Sequence, residues 1–436
     1  MTRPPLISTS YRAARTRRAP IAEAAPRPAR NSRLVNTEGI IVTAEPMRSR
    51  SSISAPARRA GRFAVDHSLV LPAGVAIALV WANTSAASYT SFARALDFPV
   101  NDIGMVFFFA LAAKEVVEAT CPGGALHTWR RAALPVVAAI GGMAAPAAIF
   151  TAFALTTGHR ALVRGWAIPC ATDVAFSYLV AKVIFRDHPA IPFLLLLAIA
   201  DDAFGLVILA LFYPVGNVHV IAAALLMSAA LAAVFVIRRR QTRVFWPYVA
   251  AGGALSWTAL FWGGFHPALA LVPIMPFVPH ATRDPGLFVD APAGEHDPLS
   301  EFEHRFKYPV QAVLFLFGLV NAGVVITAIG PGTWAVLVAI ATGKPLGIGL
   351  AVAGAALAGL RLPQRLGWSD IVVVGCAAGI GFTVALFFAT AAFPPGRYLD
   401  ETKLGALLSV GSAGVALAVA AILRVGRFRA SQAARL

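Results

Sequence analysis

Long apolar stretches, separated by short polar segments, recur along most of the chain. Each is close to the length that an α-helix needs to cross a lipid bilayer, about 20 residues. The pattern therefore predicts an all-α membrane protein with twelve transmembrane helices. Their predicted bounds are 68–87, 102–120, 132–156, 165–185, 191–213, 218–237, 244–262, 264–279, 308–329, 333–360, 370–393 and 403–424.

Two segments depart from this regular pattern. Residues 280–307 are rich in Pro, Asp and Glu, and we predict an irregular loop there. The apolar stretch 264–279 contains Pro267, Pro273 and Pro276, and each proline removes a helical hydrogen bond. The ends of this predicted helix are therefore poorly defined by the sequence.

The composition is that of a membrane protein, with 58% hydrophobic and 13% charged residues and a mean hydropathy of +0.70. Soluble domains carry about twice that share of charge. The net charge is +16, and residues 1–62 contribute most of it through 13 arginines and three glutamates. Because this basic excess lies in a tail, it does not indicate a nucleic-acid-binding surface.

We predict three parts in the chain. Residues 1–62 form a disordered, Arg-rich cytoplasmic tail, because they are rich in Pro, Ser and Ala and lack periodicity. An organelle transit peptide is the alternative for this segment, since such peptides are also rich in Arg and Ser. Residues 63–425 form the twelve-helix domain, and residues 426–436 form a short basic cytoplasmic tail.

The distribution of basic residues indicates how the chain crosses the membrane. With the N-terminus inside and both tails counted, the cytoplasmic side carries 30 Lys and Arg, 13 of them in residues 1–62, whereas the external loops carry five. Cytoplasmic loops of membrane proteins are enriched in these residues. We therefore predict a multi-pass protein with both termini in the cytoplasm.

Four charged residues lie deep inside the predicted helices: Asp173, Asp201, Asp202 and Lys344. Each costs about 2.5–3.5 kcal/mol at the centre of a membrane helix. Asp201 and Asp202 are adjacent, so they point about 100° apart and cannot face one lysine in the same way. One aspartate can therefore pair with Lys344 while the other lines a cavity.

A carboxylate in such a cavity can bind either a proton or a hard cation that prefers oxygen ligands. Charged groups at membrane depth commonly serve ion and proton pathways. These residues therefore predict an ion transporter, and a purely structural pairing of the charges is the alternative.

Proline and glycine accompany the charges in two distant helices. Pro169 lies four residues before Asp173, and Gly375, Gly379 and Gly381 lie close together in the eleventh predicted helix. Such residues are typical of discontinuous helices, whose unwound backbone can face an ion at the membrane midplane. Close helix packing at small residues is the alternative explanation of the glycines.

Five stretches of the chain form a distinctive set of motifs: GWAIPCATDVAFS, LAIADDAFGLVILALFY, EHRFKYPV followed by NAGV, GKPLGI and GIGFT. In their order and spacing they resemble the NhaA family of sodium/proton antiporters, and the resemblance covers roughly residues 68–424. It implies NhaA-like inverted repeats, in which helices 4 and 11 are discontinuous and cross at the midplane. It also makes residues 63–425 a twelve-helix antiporter domain.

The same resemblance implies roles for the charged residues. Asp202 would be the main carboxylate for Na+ or Li+, and Asp201 would pair with Lys344 and share in binding the ions. Thr172 and Asp173 would lie at the break of helix 4, where the aspartate offsets the positive ends of two half-helices.

The resemblance further implies electrogenic exchange of two protons for each Na+ or Li+, for pH and sodium homeostasis. The location would be the bacterial cytoplasmic (inner) membrane. The partners would be the transported ions and the lipid bilayer, without a cofactor and without nucleic acid.

The chain departs from the family's pattern at the end of the second helix. Relatives usually have a glutamate followed by valine, lysine and arginine there, a cluster implicated in pH sensing. Glu115 is kept, but Val117 and Glu118 replace the two cations, and Lys114 precedes Glu115. We therefore expect altered pH regulation.

Two further departures concern assembly and the ion site. The first external loop, about 83–101, lacks room for the β-hairpin that helps some relatives dimerise, so a homodimer is only weakly indicated. Phe204 follows the aspartate pair where a smaller residue is usual, and we expect its ring to lie near the site.

Three residues match positions associated with the pH response of relatives: His266, Glu303 and His304. An interfacial histidine and solvated surface charges explain them equally well.

Two other function classes remain open to the sequence. Two membrane aspartates could form the proton-sharing dyad of an intramembrane aspartyl protease. The G-x-G-D motif of such enzymes is absent, because GIGF continues to Thr383. A cation or pH sensor or channel that keeps the site without exchanging ions is the second alternative.

Overall fold

The computed structural model describes residues 70–280 and 297–429, apart from the side chains of Arg130 and Arg131. The predicted tail 1–62 and most of the tail 426–436 therefore lie outside the described residues. In the described ranges the regular elements are all helical. The all-α class predicted from the sequence is thus confirmed.

The α-helices are numbered in chain order. They are α1 (Val70–Thr84), α2 (Ala86–Phe98), α3 (Met105–Thr120), α4 (Trp129–Thr156), α5 (Val174–Phe185), α6 (Ala190–Phe212), α7 (Val220–Arg239), α8 (Ala254–Gly263), α9 (Pro298–Asn321), α10 (Pro331–Val338), α11 (Lys344–Leu357), α12 (Trp368–Ala378), α13 (Phe382–Ala392), α14 (Arg397–Leu408) and α15 (Ser412–Ile422). The π-helical stretches Pro99–Gly104 and Ala339–Gly343 join α2 to α3 and α10 to α11.

Six helical segments of the described chain are long and apolar enough to cross a membrane, or eight if two bent pairs each count as one span. Leu211, Leu225, Leu350 and Ile422 are 67–78% exposed on these segments. Such apolar side chains would be unfavourable in water and are expected where helices face lipid. The multi-pass membrane class is therefore supported, whereas the number of twelve spans stays a prediction.

Three connecting regions differ from the sequence prediction. Part of the predicted external loop 83–101 is helical, because α2 runs on through a π-helical stretch into α3. Instead of one α-helix, the stretch 264–279 holds the short 3₁₀ turns Pro267–Leu269 and Met275–Phe277. Its three prolines explain this, since each one removes a backbone donor.

The third difference concerns the predicted irregular loop 280–307, because α9 already begins at Pro298. Asp297 caps this helix by accepting a 2.7 Å hydrogen bond from the backbone N–H of Ser300. Pro298 occupies the first helical position, where its missing N–H costs nothing.

Two spans are interrupted in the middle. The 3₁₀ stretch Arg160–Cys170 meets α5 at an angle of 54°, and α12 meets α13 at 51°. Pro169 lies in the first break, and Gly379 and Gly381 lie in the second. Gly375 instead lies inside α12, where an added Cβ would come within 2.6 Å of Pro345 Cα. The prediction that Gly375 forms part of the break is therefore wrong, because its space is filled by α11.

The two breaks contact each other directly. The backbone N–H of Asp173 donates to the carbonyl of Ile380 at 2.6 Å. The hydroxyls of Thr172 and Ser177 donate to the carbonyls of Ala378 and Ala377 at 3.1 and 2.9 Å. Thr172 in the first break and Ser177 in the first turn of α5 thus supply side-chain donors to carbonyls at the end of α12.

Helices α4 and α11 pack closely beside the breaks, through glycines on both helices. A Cβ added at Gly347 would clash with the carbonyl oxygen of Gly141. Small residues allow such approach in membrane helices, where dispersion contacts replace the hydrophobic effect between helices. This contact matters for the site because α11 begins at Lys344.

We predict that Gly347→Ala lowers the melting temperature of the detergent-solubilised protein, because overpacking a close contact costs about 1–3 kcal/mol. Gly349→Ala in the same helix is the control, since no atom lies within 4 Å of its added Cβ. Thermal unfolding followed by size-exclusion chromatography measures both variants. Equal melting temperatures would show that the α4–α11 contact tolerates a methyl group.

Candidate functional site

A buried ion pair connects α6 with the start of α11. Nζ of Lys344 lies 2.7 Å from Oδ2 of Asp201, and the two side chains are 0% and 2% exposed. The ammonium also donates to the hydroxyl of Thr172 at 2.8 Å and to the carbonyl of Cys170 at 2.5 Å. All three N–H groups of the lysine therefore have acceptors.

The partner atoms of Lys344 come from the first helix break. Pro169 and the unwound residues after it turn the carbonyl of Cys170 away from a helical hydrogen bond and toward the lysine. Thr172 also donates to Oδ2 of Asp201 at 2.6 Å. Its single proton can serve either Asp201 or the carbonyl of Ala378, but not both at once.

Asp201 keeps one oxygen free. Its Oδ1 is buried and has no hydrogen-bond partner among the described residues. A buried carboxylate oxygen without a partner is costly and is uncommon outside functional sites. This oxygen is therefore a candidate ligand for a transported ion.

Asp173 bridges the N-termini of two half-helices. Its Oδ1 accepts from the backbone N–H of Phe176 in the first turn of α5, at 3.2 Å. Its Oδ2 accepts from the backbone N–H of Thr383 in α13 at 3.3 Å, and from the Thr383 hydroxyl. A negative charge there is favourable, because both helix N-termini carry positive partial charge.

Asp202 has a different environment from Asp201. It is half-buried and makes no hydrogen bond or ion pair with any described residue. It lines a cavity of about 30 Å³, together with Thr172 and Asp201. A space of that size holds about one or two water molecules. Four aromatic side chains form much of the remaining wall: Phe108, Phe109, Phe387 and Phe388.

This arrangement can bind an ion and exchange it for protons. The cavity offers the carboxylate of Asp202, the free oxygen of Asp201 and the Thr172 hydroxyl, which are hard oxygen ligands. In the described part of the chain, no group of three or more His, Cys, Asp or Glu could hold a metal ion.

The structure separates Phe204 from this site. Its ring packs against the apolar cluster that includes Leu197 and Val374, and it does not line the described cavity. The expectation that its bulk lies beside the bound ion is therefore wrong, because the helical turn directs Gly205 to the cavity instead.

The residues predicted to take part in a pH response lie in two places outside the cavity. Lys114 of α3 contacts Glu303 of α9 at 2.5 Å and Glu118 at 2.6 Å. Glu115 is half-buried on the same helix, and His304 is exposed on α9. His266 lies at the opposite end of α3, with Nδ1 4.0 Å from Oδ1 of Asp102.

Sequence reasoning missed several site contacts. The contacts of Lys114 with Glu118 and Glu303 were not predicted. The i,i+4 spacing of Lys114 and Glu118 indicates the first of these contacts, but no local pattern indicates the second. The contact of Thr383 with Asp173 joins residues 210 positions apart, and no local pattern indicates it. The aromatic wall of the cavity was missed for the same reason.

A charged pair buried between interrupted membrane helices, beside a carboxylate-lined cavity, defines a secondary ion transporter. The sequence profile of the family described as Na+/H+ antiporter 1 matches residues 62–422. The chain therefore belongs to the Na+/H+ antiporter family. It is a transporter rather than an enzyme, which excludes the intramembrane protease.

Related proteins match over nearly their whole length. Na(+)/H(+) antiporter NhaA 1 of Pelobacter propionicus is 44% identical over 83% of this chain and 97% of its own. Na(+)/H(+) antiporter NhaA of Geobacter sulfurreducens is 42% identical, with the same two coverages. Among solved structures, the sodium proton antiporter MjNhaP1 of Methanocaldococcus jannaschii is 16% identical, with a TM-score of 0.49 over 84% of this chain and 92% of its own.

We predict that Lys344→Met lowers the melting temperature strongly, because removing one partner of a buried ion pair costs about 3–5 kcal/mol, which includes the cost of protonating Asp201 at neutral pH. Adding Asp201→Asn should restore much of the loss, since the amide needs neither a partner charge nor a proton. Differential scanning fluorimetry at neutral pH compares the single and double variants. No recovery in the double variant would show that Lys344 stabilises the fold mainly through Cys170 and Thr172.

Proposed function

We propose that the protein exchanges Na+ or Li+ for two protons per cation, and that this electrogenic exchange serves pH and sodium homeostasis. The observation that carries the proposal is the unequal pair of aspartates. Asp201 is held by Lys344, whereas the carboxylate of Asp202 faces the cavity without a protein partner among the described residues. The concentration gradient of one transported ion drives the movement of the other, so the cycle requires no cofactor.

The charges of the site fit this stoichiometry. With a cation bound to Asp202, the ion pair of Asp201 and Lys344 is intact and the site is neutral overall. With two protons bound to the aspartates, the lysine leaves the site with one positive charge. One net charge therefore crosses the membrane in each cycle.

The contacts of Lys344 support a cycle in which Asp201 leaves the pair. After Asp201 turns away, the ammonium still has the carbonyl of Cys170 and the hydroxyl of Thr172 as acceptors. Asp201, whose Oδ1 has no hydrogen-bond partner among the described residues, lines the same cavity as Asp202. In the cation-bound state, with Oδ2 of Asp201 paired to Lys344, Oδ1 and Asp202 can bind the cation together, with Thr172 as a further oxygen ligand.

We assign Asp173 a supporting role. Its two oxygens already accept hydrogen bonds from the first turns of α5 and α13. It stabilises the helix N-termini that meet at the breaks, and so keeps the unwound backbone in place. Gly379 and Gly381 allow the second break at the same level.

The location and partners follow from the family and the sequence. We place the protein in the bacterial cytoplasmic membrane with both termini in the cytoplasm, in contact with lipid. We assign a pH response to Glu115, Glu303 and His266, modified in this chain by the bridge that Lys114 makes. A homodimer is a weaker part of the proposal, because the first external loop, about 83–101, lacks room for the β-hairpin that helps some relatives dimerise.

We predict that Asp202→Asn abolishes cation-dependent proton movement. The purified protein is reconstituted in liposomes with an imposed pH gradient, and internal pH is followed on adding Na+, Li+ or K+. Asp187→Asn is the control, since Asp187 is an exposed carboxylate just before α6. Full activity in Asp202→Asn would disprove the assignment, and a wild-type protein that no cation activates would instead indicate a sensor.

We also predict that wild-type exchange responds to membrane potential and that Lys344→Ala loses this response. Without the lysine, an ionised Asp201 would be buried without compensation, so it keeps its proton and one proton then exchanges for one cation. Valinomycin with potassium gradients sets the potential in the same liposomes. Lys182→Ala, at an exposed lysine of α5, is the control. An unchanged response in Lys344→Ala would contradict the charge assignment.

A further inference from the structure

A pair of phenylalanines in contact forms part of the wall of the Asp202 cavity. Phe387 of α13 and Phe109 of α3 both line the cavity, and both side chains are buried. Their rings meet edge to face, with centroids 4.9 Å apart. Such a contact contains no polar atom that could accompany an ion or water through it.

Polar residues lie directly behind this aromatic contact. The ring of His266 lies 4.7 Å from the ring of Phe387, centroid to centroid, but does not line the cavity. Its residue is 8% exposed, and its Nδ1 has no hydrogen-bond partner in the described structure. Buried polar groups normally have partners, so this nitrogen is the kind of atom that a passing ion or water could contact.

The polar residues continue from His266 to the protein surface. Nδ1 of His266 lies 4.0 Å from Oδ1 of Asp102, whose side chain is 22% exposed. Asn101 donates to the carboxylate of Asp97, an exposed residue, at 2.7 Å. We call these four residues, Asp97, Asn101, Asp102 and His266, the vestibule.

The vestibule and the cavity are neighbours along one helix. Asp102 immediately precedes α3, and Phe109 and Ala112 of α3 line the cavity. Ten residues separate Asp102 from Ala112, which corresponds to about 15 Å of helix. The opposite end of α3 carries Lys114 and Glu118 on the predicted cytoplasmic side. The vestibule therefore lies toward the predicted external side.

We propose that Phe387, packed against Phe109, is the external gate of the ion path and separates the Asp202 cavity from the vestibule of Asp97, Asn101, Asp102 and His266. The proposal rests on the transport function, because alternating access requires a barrier on each side of the site. A rotation of the Phe387 side chain would join the two polar spaces. The ring supplies no ligand to the ion and acts through its bulk.

The test measures external access to the cavity with a cysteine at position 112. Ala112→Cys is made in a chain with Cys121→Ser, and right-side-out membrane vesicles receive a membrane-impermeant thiol reagent from outside. We expect Phe387→Ala to increase the labelling rate about tenfold or more. Phe387→Leu keeps most of the bulk and should give a smaller increase.

Phe388→Ala is the matched control for this experiment. Phe388 is adjacent, is equally buried and lines the same cavity, but its ring packs against Tyr213 at 5.6 Å. Its removal enlarges the cavity without opening it to the vestibule, so its labelling rate should stay close to that of Ala112→Cys alone. The melting temperature of each variant shows that it is folded.

Two results would overturn the proposal. An unchanged rate in folded Phe387→Ala would show that another barrier closes the external side. An equal increase in Phe387→Ala and Phe388→Ala would show that loosened packing, rather than a gate, admits the reagent. Labelling does not depend on which ion is carried, so it can succeed or fail independently of the Asp202→Asn liposome experiment.

Discussion

The ion pair of Lys344 and Asp201 is the interaction on which the centre of the molecule depends. Two opposite charges are buried away from bulk water, so each depends on partners inside the protein. An intact α5 span could not supply the acceptors that Lys344 uses, because its carbonyls would be bonded within the helix. The interruption at Pro169 frees the carbonyl of Cys170 for the lysine. The break in the helix and the burial of the charge thus require each other.

The same reasoning extends to the second interrupted span. Carbonyls at the end of α12 would be orphaned in a dry interior, and Thr172 and Ser177 supply their donors. The N-termini of α5 and α13 would present uncompensated positive charge, and Asp173 accepts hydrogen bonds from both. Each break therefore provides hydrogen-bond partners for the other, and the pair forms a hydrogen-bonded polar centre in an apolar protein.

The sequence predicted those parts of the fold that depend on composition along the chain. A helix that crosses lipid requires a long apolar stretch, so the hydropathy of the sequence located most helices. The charged residues within these apolar stretches indicated the ion site. It missed α2, because the segment Ala86–Phe98 is too polar for a hydropathy window yet folds as a helix with Tyr89 buried. The sequence also placed Gly375 with Gly379 and Gly381 in one helix break. Whether a glycine allows close helix packing or interrupts a helix depends on the neighbouring helix, and the sequence does not show that α11 packs against Gly375.

Most contacts between residues far apart in the sequence could not be predicted from the sequence. The motif resemblance predicted a pairing of Asp201 with Lys344, and the structure brings these side chains together. The bridge from Lys114 to Glu303 and the wall formed by Phe109 and Phe387 have no such motif. They depend on how α3 lies against α9 and α13, which is a property of packing alone.

Helix α3 packs beside the polar centre without hydrogen bonds to it among the described residues. Among the described residues, no hydrogen bond joins α3 to either interrupted span, and Phe108, Phe109 and Ala112 face the cavity without polar groups. A shift between α3 and the polar centre would therefore break no hydrogen bond, and the packing contacts that it breaks are dispersion contacts worth about 0.1–0.2 kcal/mol per atom pair. The charged contacts of Lys114 join α3 to α9 instead. Under the proposed alternating access, a movement at the boundary between α3 and the interrupted spans, which runs along the Asp202 cavity, would therefore break no hydrogen bond between described residues.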